Sequence, residues 1–199
     1  MSHTPETKTR TRPNLFDRLF GRGRAGTGIA TRVYGAIVAQ ARNPAFYASL
    51  GVPDTVTGRF EMVVLHVALV VGRLEGDETG QRMAQDVFDL FCTDMDRSLR
   101  ELGFGDLGVP HRMKKMTEAF YGRARAYRDA LAAGDRVALA AAIARNALDG
   151  ETATADALAS YVIAASAALT DAPVAEVADG PRFVDPALFV TVQSAVASR

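Results

Sequence analysis

Three histidines, His3, His66 and His111, and one cysteine, Cys92, are all the imidazole and thiol that this chain offers for metal binding or nucleophilic chemistry. The histidines are scattered, and neither H-E-x-x-H nor E-x-x-H occurs, so no zinc-ligand spacing is available. His66 interrupts an apolar run, Met62 to Val71, and reads as a hydrogen-bonded core histidine. Cys92 stands among Phe88, Phe91 and Met95, the surroundings of a small buried hydrophobe. A single cysteine forms no intramolecular disulfide, which fits a reducing cytoplasm. Carboxylates are numerous, but no pair is singled out for acid–base work. The expectation is a protein without catalytic residues, metal or cofactor, and therefore not an enzyme.

Gly103-Phe104-Gly105-Asp106-Leu107-Gly108 spells the dinucleotide-binding pattern G-x-G-x-x-G. That pattern works where a strand enters the glycine turn of a βαβ unit. Here a long helical segment precedes it and no parallel sheet is expected. Gly103 reads instead as a helix terminator in the left-handed region, with Pro110 in the first turn of the next helix.

Charge carries more information. The formal net charge is zero, which argues against general or specific nucleic-acid binding, since phosphate recognition needs a basic surplus. Its distribution is uneven. Six bases stand against two acids before Gly28, and seven acids stand against Arg182 and Arg199 from Asp149 onward. Between them, the stretch Glu75 to Asp96 holds seven acids against Arg82, and Arg112 to Arg128 holds six bases against Glu118. At about 100° per residue, Lys114, Tyr121, Arg125 and Arg128 fall within about 60° of one another on a helix. An aromatic-plus-cation flank of this kind suits an acidic protein surface or an anionic headgroup; a solvated face and pairing within the hairpin are the alternatives. Asp94 shares a side with Met83, Val87 and Leu90 and should be partly buried. It needs a partner, from Arg97 and Ser98 nearby or from a cation of the following helix.

The elements that position these residues are helices. Ile29, Val33, Ile37 and Ala41 mark the first, ended by Asn43-Pro44, and a short one follows. Phe60, Val63, Val64, Val67, Val71 and Leu74 mark another, closed by Gly76; length and lack of alternation decide against a strand. A central helix is predicted from about Glu78 to Leu102, and a further one from Pro110 to Ala132 with Met113, Met116, Phe120, Ala124, Tyr127 and Leu131 as its core stripe. Joined by a short glycine loop, these two long helices should pack antiparallel. Asp135 to Ala147 and Thr152 to Leu169 read as an alanine-rich helical hairpin. The fold class is all-α, a single-domain helical bundle with a central antiparallel pair of long helices; an apolar share of 48% is enough for one continuous core.

Residues 1–27 read as a basic, mostly disordered arm, 28–172 as the helical domain and 173–199 as an irregular tail, with Phe183, Val184, Leu188, Phe189 and Val190 covering part of the bundle. Inside the arm, Leu15, Phe16, Leu19 and Phe20 form a short apolar stripe flanked by Arg18, Arg22 and Arg24. Two readings stay open: contact with a membrane surface or partner, and docking on its own domain. The run Met62 to Val71 is far short of the roughly 20 residues of a membrane span. No secretion signal marks the N-terminus.

The run from Asp94 to Met116 (DMDRSLRELGFGDLGVPHRMKKM), followed by Phe120-Tyr121-Gly122-Arg123, resembles the signature of the ubiquinol-cytochrome c chaperone family. The block Arg59 to His66 (RFEMVVLH) is similar to an earlier block of that family, and the resemblance spans about Thr31 to Leu131. His111 stands where lysine is expected and Leu102 where methionine is commoner. Mitochondrial members carry a transit peptide, for which the basic arm would pass, but the compact chain resembles the bacterial branch more.

The resemblance implies a helical assembly chaperone that helps newly made cytochrome b, or an assembly intermediate, enter the cytochrome bc1 complex, working in the cytoplasm or at the cytoplasmic face of the inner membrane. Mitochondrial members act with a small partner protein and at the ribosome. No catalytic or haem-ligand residue is carried over. The expected contact residues are Asp94, Asp96, Arg97, Arg100 and Glu101 on one helix, Asp106 in the loop, and Arg112, Lys114, Lys115, Tyr121, Arg123, Arg125 and Arg128 on the next, with Asp94 and Asp106 the ones most suited to structural roles. The competing reading is a peripheral membrane protein on anionic lipid or a quinone-related ligand. A chaperone predicts a groove or apolar patch beside the charged pair; an enzyme predicts a deep pocket with convergent polar groups.

Overall fold

The structure, a computed structural model, describes residues 28–105 and 108–190. Eight α-helices follow in order among these residues: α1 (Gly28–Ala41), α2 (Pro44–Ala48), α3 (Val56–Glu75), α4 (Gln81–Glu101), α5 (Val109–Ala133), α6 (Arg136–Ala147), α7 (Ala155–Asp171) and α8 (Val174–Asp179), then a 3-10 turn, Pro186–Phe189. No strand occurs among the described residues, and they form one all-α domain. The basic arm with its Leu15 to Phe20 stripe, Asp106 and residues 191–199 lie outside the described residues.

Local signals explain where the helices begin and end. The Thr55 hydroxyl accepts the Gly58 N–H at 3.1 Å to start α3, and the Asp135 carboxylate accepts the Ala138 N–H at 2.9 Å to start α6. Helix α4 stops in a Schellman turn. Gly103 sits at φ +88°, its N–H donating to the Arg100 carbonyl at 3.0 Å while the Phe104 N–H reaches the Leu99 carbonyl at 3.2 Å. Thus the first glycine of the G-x-G-x-x-G string terminates a helix, and Pro110 lies in the first turn of α5.

The helix most enclosed by others is the valine-rich α3. Every residue from Glu61 to Val71 is buried, because a helix apolar on all sides must be surrounded. Helices α1, α4, α5, α6 and α7 all pack on it. The long pair α4 and α5 lies against one side. Phe88 meets Phe120 and Tyr121 at ring-centroid distances of 5.0 and 5.5 Å, and Phe91 meets Phe120 at 5.5 Å. These contacts are consistent with the antiparallel pair that the sequence leads one to expect. Helices α6 and α7 pack together.

Of the five apolar residues expected to cover the core from this segment, Phe183, Val184, Phe189 and Val190 pack against it. Phe183 meets the His66 ring edge-on at 5.1 Å, and Phe189 meets Tyr161 at 5.8 Å. Leu188, expected to help cover the core, is 77% exposed. In the tight 3-10 turn, Pro186 points inward and Leu188, two positions on, points to solvent.

Candidate functional site

Helix α5 has two faces with different work. Its core stripe buries Phe120, Tyr127 and Ala130, with Met113, Met116, Ala124 and Leu131 partly buried beside them. The flank picked out by helical geometry stays outside: Lys114, Tyr121, Arg125 and Arg128 are all exposed. Tyr121, 56% exposed, rests on Phe88 and Phe120, so an aromatic cluster that begins with Phe60 and Phe91 in the interior ends at the surface among cations.

Lys114, Arg125 and Arg128 of α5 each pair with an acid on their own helix. Lys114 pairs with Glu118 at 3.9 Å, and Arg125 and Arg128 both approach Asp129, at 3.3 and 3.8 Å. On α4, Arg100 binds Asp96 at 2.7 Å. Exposed pairs of this kind are weak and salt-screened. They leave the flank able to exchange them for a partner's carboxylates. Toward the hairpin tip, Arg112 stacks its guanidinium over the Phe104 ring at 3.8 Å, and Lys115 and Glu101 are exposed.

Three residues expected on the contact surface, Asp94, Arg97 and Arg123, turn inward. Asp94 is 3% exposed. It accepts a hydrogen bond from the Tyr34 hydroxyl at 3.0 Å and from the Arg97 guanidinium, and the Ser98 hydroxyl donates to its backbone carbonyl at 2.8 Å. Burial raises its carboxyl above the usual range, against the pull of Tyr34 and Arg97. Arg97 and Ser98 were expected partners. The cross-helix partner comes from α1 rather than from the cations of α5, because the Asp94 side of α4 packs against α1. Asp94 and Arg97 are thus a joint between α1 and α4.

Arg123 likewise faces the interior. Its guanidinium donates to Glu61 on α3 at 2.7 Å, with side-chain exposures of 22% and 5%. Burial pushes the Glu61 carboxyl up to about 7, although Arg123 opposes the shift. The sequence reading used Glu61 only to mark the end of an apolar run. The signal was present in the spacing: Arg123 lies between the core residues Phe120 and Tyr127, and Glu61 lies one turn before the buried Val64 and Leu65.

A second buried polar group surrounds His66, which has no exposed surface. The Met62 carbonyl, 2.7 Å from Nδ1, can only accept, so Nδ1 carries the proton and Nε2 is the acceptor for the Tyr161 hydroxyl at 2.7 Å. Gln40 then donates to the Tyr161 oxygen at 3.0 Å and to the Val184 carbonyl at 3.2 Å. Burial drives the imidazole down to about 4, so it stays neutral. His66 is therefore a core histidine that ties α1, α3, α7 and the C-terminal turn together.

No group of His, Cys, Asp and Glu side chains suited to a metal ion occurs among the described residues, and none of their helices is long and apolar enough to cross a membrane. What the fold presents is a helical bundle whose two long helices, α4 and α5, carry exposed charge. Residues 48–183 match the model of the ubiquinol-cytochrome C chaperone family, well over half of the chain, and the protein belongs to that family, one of chaperones and not of enzymes. It is 27% identical over 121 residues to the ubiquinol-cytochrome-c reductase complex assembly factor 1 of Xenopus laevis, covering 60% of this chain and 60% of that relative's length. It is also similar to the crystal structure of the Cbp3 homolog from Brucella abortus, with 44% identity, a TM-score of 0.74, and 80% of this chain and 90% of that one covered.

Proposed function

We propose that this protein is an assembly chaperone for the cytochrome bc1 complex that binds newly made cytochrome b, or an early intermediate containing it, through the exposed flank of α5. The supporting observation is the combination on one helix face of exposed Lys114, Arg125 and Arg128 with Tyr121, a half-exposed aromatic anchored on Phe88. Cations at the rim steer and orient an acidic partner, and a rigid aromatic supplies desolvated contact area at low entropic cost. The family membership and the printed role of the Xenopus relative support the choice of partner. A chain of this kind would act at the cytoplasmic face of the inner membrane, where a peripheral contact with lipid fits the same cations. Arg112, Lys115, Arg100, Asp96 and Glu101 extend the surface toward the ends of α4 and α5 that the glycine-rich segment joins.

The decisive experiment is a pull-down from detergent-solubilised membranes with wild-type protein and with K114E/R125E, read for cytochrome b. Recovery with the wild type and its loss with the folded variant is the expected pattern. Equal recovery by both moves the contact surface elsewhere, and recovery by neither removes cytochrome b as the partner.

A further inference from the structure

Helices α3, α5 and α7 do not close completely on one another. A cavity of about 290 Å³ lies between them, open to solvent at a rim that includes Gly72, Arg128, Ala132 and Thr170. Ala68, Leu69, Ala124 and Leu131 make its apolar lining. We propose that this cleft binds an anionic single-chain amphiphile, an alkyl chain lying along the apolar lining with a carboxylate or phosphate head at Arg73 and Arg128.

Three observations converge on it. The first is size. The volume stands at the lower end of the roughly 300 to 1,000 Å³ of small-molecule sites, and it falls well short of what a helix about 10 Å across would fill. The second is charge. Arg73 is fixed by donating to the Leu169 carbonyl at 2.9 Å and the Ala172 carbonyl at 2.8 Å at the end of α7. Among the described residues Arg128 pairs with Asp129 alone, at 3.8 Å, and its side chain is 63% exposed, so it is able to turn to a ligand. Two guanidiniums over an apolar floor match an anionic head on an apolar chain. Ser166 and Thr170 also line it, with the Thr170 hydroxyl donating to the Ser166 carbonyl at 2.9 Å.

The third is Gly72. It lies inside α3, where glycine weakens a helix relative to any ordinary residue. A Cβ built on it meets nothing within 4 Å, so packing against the fold does not require glycine there. Its lack of a side chain does keep the cleft open. By contrast a Cβ on Gly58, the other glycine of α3, would come within 2.0 Å of the Pro53 carbonyl oxygen. The fold itself accounts for that one.

This reading shares Arg128 with the flank proposed to meet a partner, and the free space at Gly72, which that flank does not include, provides its separate test. Sodium dodecanoate and dodecyl phosphate, each below its micellar concentration, are titrated calorimetrically into the full chain, with dodecyltrimethylammonium as the cation of equal chain length. One saturable site for the anions and none for the cation is expected. G72F, which fills the cleft from α3, should weaken binding at least about tenfold, equivalent to about 1.4 kcal/mol, with its melting temperature unchanged or raised. A132F fills it from α5 and guards against a folding effect of the first variant. R128Q should weaken binding several-fold and reduce its salt dependence. Phosphatidylcholine vesicles with and without phosphatidylglycerol then identify the source of the chain. Loss of anionic-vesicle binding in G72F assigns it to membrane lipid, and retention assigns it to a free amphiphile. Absence of saturable anion binding, or equal binding by the wild type and both filled variants, overturns the proposal. So does loss of membrane-protein capture by G72F without any amphiphile binding, which would make the cleft a protein contact.

Discussion

Glu61 on α3 and Arg123 on α5 form a 2.7 Å ion pair inside the bundle, with the carboxylate 5% exposed and its second oxygen, Oε2, buried without a hydrogen bond. The pair couples the most enclosed helix to the helix that carries the candidate contact surface. Its energetics are asymmetric: a buried pair contributes little net stability, but removing one partner leaves an uncompensated charge. R123A leaves the 5%-exposed Glu61 carboxylate alone and should cost about 3 kcal/mol at pH 8, whereas E61Q leaves an Arg123 side chain that is 22% exposed to water and should cost less. Denaturant titration of both variants checks the difference, and equal costs would mean that the pair is not desolvated.

The same carboxyl sets a pH dependence. Its folded pKa of about 7 lies above the ordinary 4.5, so the folded state binds the proton more tightly than the unfolded chain. Its contribution to stability is complete below pH 4.5 and declines as pH rises through about 7. The melting temperature of E61Q should lack that decline between pH 5 and 8, measured against the wild type in the same buffers.

His66 acts in the opposite direction. With its imidazole depressed to about 4 from 6.5, the unfolded state binds the extra proton, and the contribution of the neutral ring is lost as pH falls from 6.5 through about 4. Y161F removes the hydroxyl that donates to Nε2 and accepts from Gln40. It should cost about 1 to 3 kcal/mol, the range for a buried polar group left unpaired. A cost near zero by chemical denaturation would show that the network is not needed.

Surface and core of α5 should separate cleanly. K114E and R125E alter side chains that are each 78% exposed and should shift stability by no more than about 0.5 kcal/mol apiece. Association with an acidic partner should fall about tenfold or more, with a steep salt dependence. F120A empties a site that is 2% exposed and touches Phe88, Phe91 and Tyr121, and should cost about 3 to 5 kcal/mol. M113A, only partly buried, should cost less. Paired melting and co-purification measurements test this separation; a large stability loss in K114E would contradict it.

Periodicity and helix-terminating residues carried the helical class and the order of the long helices, because both signals are local properties of the chain. Gly103 shows how far that reaches: one residue type at one offset predicted a left-handed helix end, and the Schellman bonds realise it. Lys114, Tyr121, Arg125 and Arg128 were placed on one flank by rotation per residue alone, and all four are exposed. What rotation cannot state is which side of a helix another helix will cover. Arg123 differs from Arg125 by two positions and in sequence has the same chemistry, yet it meets Glu61 across 62 residues of chain while Arg125 faces water. Tyr34 reaches Asp94 across 60 residues, and Tyr161 reaches His66 across 95. Such pairings depend on how five helices share the surface of α3, a many-body packing choice that no local window contains. The cleft lined by Gly72, Arg73 and Arg128 arises in the same way, as space left where three helices fail to close.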